Sequence, residues 1–229
     1  MRNAVVKNIV RASPDVCAGL AECGVATVHE AMGRDRLMKP YMRPIFPSVI
    51  AGPAVTVLAA PGDNWMLHVA VEQCRAGDIM VVGLMTDNED GMIGDLIATA
   101  LQARGVRGVV IDAGCRDIAT LRQMNFPIWS RAVSARGAVK ATLGQVNMSV
   151  VCAGVHVHPG DIIVADEDGV VVVPQAEGAR VLELARERTR KEEQSRARYA
   201  AGEIALDVGN MRSALAEAGL EYLESLDEL

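Results

Sequence analysis

Aromatic side chains are scarce in this sequence of 229 residues, since Phe, Trp and Tyr together make up only 3% of it. Hydrophobic residues nevertheless account for 50% and charged residues for 23%. A chain of this length buries a substantial core, and we expect aliphatic side chains and the 11 methionines to fill it. The charged fraction is close to that of an average globular protein, which disfavours general disorder.

Positive charge is also scarce. The formal net charge is −6, whereas a nucleic-acid or membrane-surface partner would need a basic face, so we expect neither. Lysine is the rarer cation: Lys7, Lys39, Lys140 and Lys191 stand against 19 arginines. Arginine suits bidentate recognition of carboxylates, whereas Schiff-base chemistry needs a lysine. The composition therefore disfavours covalent catalysis through a lysine.

The sequence has no C-x-x-C pair and no long hydrophobic run. Its five cysteines are odd in number and widely separated, which is typical of reduced and mostly buried thiols. The first residues lack the apolar run of a signal peptide, and no stretch of about 18 apolar residues could span a membrane. These absences predict a cytoplasmic protein.

Turn and cap signals divide the first half into helix–strand units. Ser13 as a cap and Pro14 at the first helical position predict a helix that stops near Gly24, followed by a short one that ends at Gly33. Four prolines make residues 34–53 an irregular connection. The units that follow are a strand at 54–59, a helix at 65–74, a strand at 79–84, a helix at 95–104, a strand at 108–112 and a helix at 117–124.

The second half predicts short β-branched strands and then helices. The strands fall at 128–130, 139–142, 149–153, 161–164 and 169–173, with marked turns at 159–161 and 166–169. A long charged helix near 176–201 and an amphipathic one near 211–226 follow. This order predicts a single α/β domain over 1–229, with 176–229 as a C-terminal helical extension. Pattern alone allows that extension to pack on its own domain or on a neighbouring subunit.

The segment 91–117, GMIGDLIATALQARGVRGVVIDAGCRD, is the most informative stretch. It predicts a glycine-bearing loop into a helix, a buried strand, and a turn that presents Arg116 and Asp117. A helix N-terminus binds carboxylate or phosphate through its free N–H groups, and open α/β sheets place ligands just past strand ends. Arginine offers a cation for an oxyanion, and aspartate a hard oxygen ligand for Mg²⁺ or Mn²⁺. Without further support, a helix cap and a solvated ion pair are the simpler interpretation.

The spacing within this segment matches a known signature. Residues 96–115 separate Asp95 from Arg116, and Asp117 follows at once. This D-x20-R-D pattern resembles that of the class II 4-hydroxy-4-methyl-2-oxoglutarate/4-carboxy-4-hydroxy-2-oxoadipate aldolases, which share a fold with the regulators of ribonuclease E activity. The likeness spans roughly residues 10–225. It continues through DIATLRQMNFPIWSRAVSARG, VKATLGQVNMSVVCAGVHVHPGDIIVADEDGVVVVP and AAGEIALDVGNMRSALAEAGL.

The resemblance implies a fold and an assembly. The expected fold is a layered β/β/α (αββα) sandwich of the ribonuclease E regulator A-like type, with the helical extension at its C-terminus. The expected assembly is a homotrimer or a homohexamer built as a dimer of trimers, with the sites between subunits and the extension, 176–229, on a neighbour.

The resemblance also implies a metal site for Mg²⁺ or Mn²⁺. Asp117 would ligate the metal directly, and Glu192 or Glu193 of a neighbouring subunit would reach it through water. Arg116 would hold the pyruvyl C2 oxygen as it becomes an enolate. Asp95 would orient or activate a water that acts as the general base. Backbone amides at the helix start would hold the pyruvyl carboxylate, namely those of Gly94, Asp95, Leu96 and Ile97.

The implied reaction is a retro-aldol cleavage that releases pyruvate. The substrate would be 4-carboxy-4-hydroxy-2-oxoadipate, 4-hydroxy-4-methyl-2-oxoglutarate or both, with oxaloacetate decarboxylation as a side activity, in protocatechuate or gallate degradation. Two rivals remain: a non-catalytic regulator of ribonuclease E activity and a dedicated oxaloacetate decarboxylase. Asp95 and the long extension after Pro174 favour the aldolase over the regulator.

A few other residues could also bind ligands. His156 and His158 could share a strand face as metal ligands, although the resemblance assigns the metal elsewhere. Asp63 and Asn64 predict a turn and a helix cap, with a smaller prospect of reaching the substrate. Cys115 is predicted to be a packed thiol rather than a nucleophile, because no base is evident near it in sequence.

Overall fold

The computed structural model describes residues 2–225 and residue 227. The chain divides into two compact units, residues 1–186 and residues 187–229. Within the described part of the chain, the first unit contains all the strands and four complete helices. Its strands are β1 (Ala4–Val5), β2 (Arg43–Pro44), β3 (Ile50–Ala59), β4 (Ile79–Leu84), β5 (Gly91–Ile93), β6 (Gly108–Cys115), β7 (Ile128–Val133), β8 (Gln145–Val146), β9 (Val150–Cys152), β10 (Val155–Val157), β11 (Ile162–Asp166) and β12 (Gly169–Val173). Its helices are α1 (Pro14–Ala31), α2 (Trp65–Gln73), α3 (Asp95–Gln102) and α4 (Ile118–Gln123).

Helix α5 (Gly178–Ala200) begins in the first unit, after a 3₁₀ turn at Gln175–Glu177, and ends in the second. Two short helices follow it, α6 (Ala205–Val208) and α7 (Arg212–Glu217). Whether the extension packs on a neighbouring subunit stays a prediction.

The main sheet is mostly parallel at its centre, in the order β1-β8-β3-β4-β6-β7-β2. Strands β3, β4, β6 and β7 run parallel to one another. The residues of β3, β4 and β6 are almost continuously apolar and buried, as expected for strands that are covered on both faces. The carboxyl ends of these parallel strands therefore meet at one edge of the sheet, and each leads into a helix or loop there.

Strand β3 belongs to two β layers. Its first part pairs antiparallel with β11, from Ile50↔Ala165 to Pro53↔Ile162. Its second part pairs parallel with β4, from Ala54 onward. Pro53 stands at the change of partner, where the missing N–H of a proline is tolerated. Strands β11 and β12 form a tight hairpin that continues the second layer, and the predicted turn at 166–169 is its tip.

Three buried clusters lie between successive layers. One joins the main sheet to α2, α3 and α4, a second joins the main sheet to β9–β12, and a third joins β11 and β12 to α1 and the start of α5. This order of helix, sheet, sheet and helix confirms the αββα sandwich. Methionines such as Met80 and Met92 are fully buried, whereas the aromatic part of the core is mainly Trp129 and Phe126.

Helix α1 begins and is interrupted at residues that the sequence indicated. Ser13 Oγ accepts a hydrogen bond from Val16 N at 3.3 Å, and Pro14 opens the helix. Gly24, at φ 78° and ψ 161°, interrupts the helical backbone, which glycine permits without a Cβ clash. The two predicted helices are thus found on either side of Gly24.

Four sequence predictions are wrong. The strand predicted at 54–59 begins at Ile50, inside the segment predicted to be irregular, because its first residues pair with β11. Residues 139–142 form no strand: Val139 makes only an isolated bridge with Asp63, and the next N–H groups bond to a side chain. Strand β6 continues to Cys115 instead of turning at 113, because Gly91 and Ile93 pair with its end. The last helix covers only Arg212–Glu217, since Gly219 at φ 88° follows it; residue 226 lies outside the described part of the chain.

Within residues 2–225 and 227, no helix is both long enough and apolar enough to cross a membrane.

Candidate active site

The residues of the D-x20-R-D signature meet at the carboxyl edge of the main sheet. Strand β5 leads through Gly94 into α3, and β6 leads into α4 through Arg116 and Asp117. Ile93 pairs with Cys115, and Arg116 N donates to Ile93 O at 2.9 Å. Pairing of β5 with the end of β6 therefore brings the two halves of the signature side by side, at the sheet edge where ligands of α/β proteins bind.

The start of α3 is a bare helix N-terminus. Gly94 is its N-cap and provides no side-chain hydrogen bond to the first turn. As in any α-helix, the N–H groups of Leu96 and Ile97 have no acceptor within the helix. A Cβ at Gly94 would lie 2.2 Å from Asp117 Oδ2 and 3.0 Å from Arg116 Cγ. Only glycine therefore lets this helix start approach the other residues so closely.

Asp117 adopts a left-handed backbone conformation, with φ 58° and ψ 36°. This region is uncommon for residues other than glycine, and such strain is concentrated at functional sites. Although Asp117 precedes α4, its side chain makes no cap bond there. Its Oδ2 instead accepts from Asp95 N at 3.3 Å and lies 3.4 Å from Arg116 Nε. With 36% of its side chain exposed, the carboxylate remains accessible to a ligand.

A cavity of about 80 Å³ opens beside these residues. All five residues predicted to bind the substrate line it, namely Gly94, Asp95, Leu96, Ile97 and Arg116. Asp117 contacts two of them. The structure therefore brings the predicted binding residues together around one space, large enough for a small carboxylic acid and open to the surface.

The opposite wall of the cavity comes from a third strand–helix turn. Strand β3 leads into α2. Asn64 lies at the start of α2 and His68 lies in its first turn, so the two side chains share one face of this helix. Asn64 Nδ2 donates to Met92 O at 3.0 Å, which ties α2 to β5. Its Oδ1 is buried and has no hydrogen-bond partner among the described residues. Of this wall, the sequence indicated only Asn64.

Lys140 completes the second wall. The sequence placed it in a strand, but Asp63 holds this segment as a loop instead. The buried Asp63 carboxylate accepts from Trp65 N, and from the N–H groups of Ala141 and Thr142 at 2.7 Å each. Burial would raise the pKa of Asp63, but these backbone hydrogen bonds outweigh it and lower the pKa. Only this contact between distant segments reveals that Lys140 belongs to the site.

His68 is the other residue that sequence reasoning missed. Partial burial, and then the positive charge of Lys140, lower the pKa of its imidazole below the ordinary value. The lowered pKa favours the neutral imidazole, which can donate or accept a hydrogen bond. A lone histidine in an apolar helix carries no signal that would mark it in the sequence.

The donor set near Asp117 fits a hydrated hard cation. Among the described residues, no three His, Cys, Asp or Glu side chains cluster as a metal site, which excludes a closed zinc site built within this part of one chain. Mg²⁺, by contrast, is commonly held by one or two carboxylates and keeps several waters or substrate oxygens. The accessible carboxylate of Asp117 beside an open cavity suits that mode.

The two glutamates predicted to reach the metal through water, Glu192 and Glu193, lie on α5, in the second unit. Glu192 Oε1 pairs with Arg188 Nε at 2.8 Å, and Glu193 is exposed. That Glu192 or Glu193 reaches the metal of a neighbouring subunit stays a prediction.

The remaining candidates lie outside the cavity. His158 Nδ1 lies 2.7 Å from Ser149 Oγ, and its backbone N donates to Asp161. His156 lies on β10, away from the cavity. Cys115 is buried 3.2 Å from Ser130 Oγ, and burial raises the pKa of its thiol, so it packs as predicted and is a poor nucleophile.

Comparison with known proteins shows the family of the chain. Residues 25–172 match the model of the RraA-like family, described as Aldolase/RraA. The chain belongs to the RraA-like family. The matched range includes both halves of the signature and both walls of the cavity.

Two curated relatives carry the provisional name 4-hydroxy-4-methyl-2-oxoglutarate aldolase. The protein from Halalkalibacterium halodurans is 34% identical over 144 residues, which cover 63% of this chain and 69% of the relative. The protein from Burkholderia multivorans is 31% identical over 143 residues, which cover 62% of this chain and 87% of the relative.

Two solved structures resemble the chain more completely. Streptomyces coelicolor RraAS2, described as an unusual member of the RNase ES inhibitor RraA protein family, has a TM-score of 0.74 and 26% identity, over 82% of this chain and 99% of that one. An uncharacterized protein from Pseudomonas syringae has the same TM-score and identity, over 87% of this chain and 99% of that one.

Proposed function

We propose that the protein is a divalent-metal-dependent, class II pyruvate aldolase. Its substrates are 4-carboxy-4-hydroxy-2-oxoadipate, which gives pyruvate and oxaloacetate, and 4-hydroxy-4-methyl-2-oxoglutarate, which gives two pyruvates. The names of the two curated relatives support this activity. The observation that carries the proposal is the meeting of the α3 N-terminus and Arg116 at one open cavity, with the Asp117 carboxylate in contact with both.

The pyruvyl end of the substrate binds first to fixed groups. Its carboxylate lies on the backbone N–H groups at the start of α3, where the helix dipole favours an anion. The Arg116 guanidinium donates to the C2 oxygen. Because Arg116 already lies in the cavity wall before substrate binds, its charge is preorganised for the enolate oxygen that develops during cleavage.

A bound Mg²⁺ or Mn²⁺ would be held by Asp117 and would supply Lewis-acid stabilisation of developing negative charge. Asp95, at the first position of α3 and in the cavity wall, orients or activates a water that removes the proton from the C4 hydroxyl. The C3–C4 bond then breaks, its electron pair forms the C2–C3 enolate, and a carbonyl forms at C4. Arg116 stabilises the enolate oxygen until C3 is protonated to give pyruvate.

The same site supports oxaloacetate decarboxylation. Loss of CO₂ from oxaloacetate leaves the enolate of pyruvate, so Arg116 and the α3 N-terminus would stabilise the same charge. We therefore propose decarboxylation as a side activity. A dedicated decarboxylase would show the reverse order of catalytic efficiencies on oxaloacetate and the aldol substrates.

Regulation of ribonuclease E is the second candidate function, because the solved structure of RraAS2 shares the fold over nearly its full length. Such a regulator needs no accessible metal carboxylate. Asp95 in the cavity wall and the accessible carboxylate of Asp117 beside it are groups that the cleavage needs. They favour the aldolase.

We also propose that the protein assembles as a trimer or a dimer of trimers, with Glu192 or Glu193 completing a neighbour's site. Leu96, at the cavity, is 77% exposed, and Val133 and Val139 are also exposed, so apolar surface is left open near the site. Sedimentation at micromolar concentration is expected to give three or six subunits. A monomer would contradict the assembly.

The test of function is pyruvate release from 4-carboxy-4-hydroxy-2-oxoadipate with Mg²⁺. EDTA and Asp117→Ala are each expected to abolish release, because both remove the metal. Asp35→Ala is the matched control, since Asp35 is an exposed carboxylate that pairs with Arg36, and it should leave release unchanged. Absence of release from the metal-loaded wild type would contradict the aldolase and favour the regulator.

A further inference from the structure

Arg116 is the cation on which the proposed reaction depends, and two backbone segments pack against its side chain. A Cβ at Gly137 would lie 2.9 Å from Arg116 Nη1, and one at Gly91 would lie 3.2 Å from Arg116 Cβ. Gly91 and Gly137 also form an isolated parallel bridge with each other. The position of the guanidinium is therefore limited by the course of these two segments. The second of them is loop 134–137, which follows β7.

Loop 134–137 is held by the ends of the two strands that lead to the site. Ser134 N donates to Cys115 O at 2.9 Å, and Gly91 N donates to Arg136 O at 2.7 Å. Both bonds use only backbone atoms of the loop. The one charged side chain of the loop, that of Arg136, is therefore left to fix the loop to another part of the protein.

Asp90 is the partner of Arg136, although it is not among the residues that line the cavity. Its side chain is only 15% exposed, and Oδ1 lies 3.4 Å from Arg136 Nε. A Cβ at Gly62 would lie 2.9 Å from Asp90 Oδ2. The backbone O of Asp90 accepts from Gly114 N at 3.0 Å, near the end of β6. Asp90 thus joins β6, loop 134–137 and the turn that precedes α2.

The turn at residues 88–90 does not account for the negative charge of Asp90. Its hydrogen bond runs from Asp90 N to Asn88 Oδ1 at 2.8 Å, and so uses the backbone of Asp90. The carboxylate also accepts from Asn88 Nδ2 at 3.2 Å, which an amide oxygen would do equally well. A mostly buried carboxylate is costly unless a cation compensates it. The charge therefore has its role in the pair with Arg136.

We infer that Asp90 is a positioning residue for the cleavage. By pairing with Arg136 it fixes loop 134–137, and the backbone of that loop sets the Arg116 guanidinium against the C2 oxygen of the substrate. This inference rests on the proposed function, in which Arg116 stabilises the enolate. Loss of Asp90 should slow enolate formation and leave binding of the pyruvyl carboxylate at the start of α3 almost unchanged.

Exchange of the methyl hydrogens of pyruvate in D₂O measures enolate formation by itself. A C3–H bond breaks, its electron pair forms the C2–C3 enolate, the proton passes to solvent, and a deuteron from D₂O adds at C3. With Mg²⁺ present, the decay of the methyl signal in proton NMR spectra gives a turnover rate and a KM for pyruvate. The full-length wild type is expected to catalyse this exchange, and Arg116→Ala to lose it.

Asp90→Asn keeps the shape of the side chain and removes its charge. It is expected to lower the exchange rate at saturating pyruvate about 3- to 10-fold, the effect of a displacement of less than about 1 Å at a reacting centre. The KM should stay within about twofold. Arg136→Gln should cause a similar loss. Because both substitutions remove one contact, the double variant should be no slower than the slower single variant.

Asp87→Asn is the matched control. Asp87 lies on the same loop as Asp90, but it pairs with Arg131 Nη2 at 3.1 Å and not with Arg136. This variant should exchange pyruvate at the wild-type rate.

The outcomes separate the inference from the proposed function. A wild-type rate in Asp90→Asn, losses that multiply in the double variant, or an equal loss in Asp87→Asn would overturn the inference alone. A KM that rises as much as the rate falls would overturn it too, because a general disturbance of the site has that effect. A wild type without Mg²⁺-dependent exchange, or exchange that survives Arg116→Ala, would contradict the proposed function and the inference with it. A non-additive loss of rate at constant KM supports both.

Discussion

The two walls of the cavity are built in different ways. The wall of α3 and β6 comes from one stretch of sequence, residues 91–117, in which two adjacent parallel strands each lead into a helix. The wall of Asn64, His68 and Lys140 joins segments more than 70 residues apart, through the buried carboxylate of Asp63. The first wall depends on close backbone approach and the second on a single side chain. Substitutions in the two walls should therefore have different effects on activity and stability.

The largest effect is expected where the start of α3 approaches the proposed metal ligand. Gly94→Ala places a Cβ 2.2 Å from Asp117 Oδ2, so α3, Asp117 or both must move. A displacement of about 1 Å at a reacting centre costs on the order of 100-fold in rate, and we expect such a loss in kcat/KM for aldol cleavage. Steady-state kinetics would measure the loss in kcat/KM, and a thermal unfolding scan would show whether the variant is still folded.

Gly137→Ala is the comparison variant for Gly94→Ala, because Gly137 also lies against Arg116. A Cβ there would lie 2.9 Å from an Arg116 guanidinium nitrogen, which is the far end of a flexible side chain and can shift. The loss in kcat/KM should be clearly smaller than for Gly94→Ala. Equal losses in the two variants would mean that the α3 start does not need to approach Asp117 closely.

A moderate effect is expected from Asp63→Asn, which weakens the second wall. The amide removes the charge that holds the N–H groups of Trp65, Ala141 and Thr142. Hydrogen bonds to a charged group contribute about 1.5–3 kcal/mol each, so the free energy of unfolding should decrease. As the segment loosens, Lys140 should leave the cavity wall, and the KM for aldol cleavage should rise. An unchanged KM would show that Asp63 does not position Lys140.

The stability difference between Asp63→Asn and the wild type should depend on pH. Because the folded state lowers the pKa of Asp63, its contribution is present above the unfolded pKa of about 3.9 and is lost as the pH falls further. Denaturant titrations at pH 7 and below pH 4 should show the two proteins converging in acid. A constant difference would contradict this role of the carboxylate.

The sequence predicts the first wall well and the second hardly at all, for a physical reason. Strands 79–84 and 169–173 have their predicted bounds because a short apolar run between turn signals is a local property. The segment 139–142 has β-branched residues that favour a strand, yet its donors bond to Asp63. Tertiary hydrogen bonds override such propensities. Neither the rarity of lysine nor its position indicated that Lys140 faces a cavity.

The smallest effect is expected at Cys115, which adjoins Arg116 in sequence but points into the core. Cys115→Ala should leave cleavage kinetics within about twofold and cost about 1 kcal/mol of stability, as for removal of one buried methyl-sized group. Because burial raises the pKa of this thiol, a thiol reagent should modify the half-buried Cys23 first. Rapid inactivation by modification of Cys115 would show instead that the first wall opens in solution. The backbone contacts of the first wall would then be no more rigid than the hydrogen bonds of Asp63 that hold the second wall.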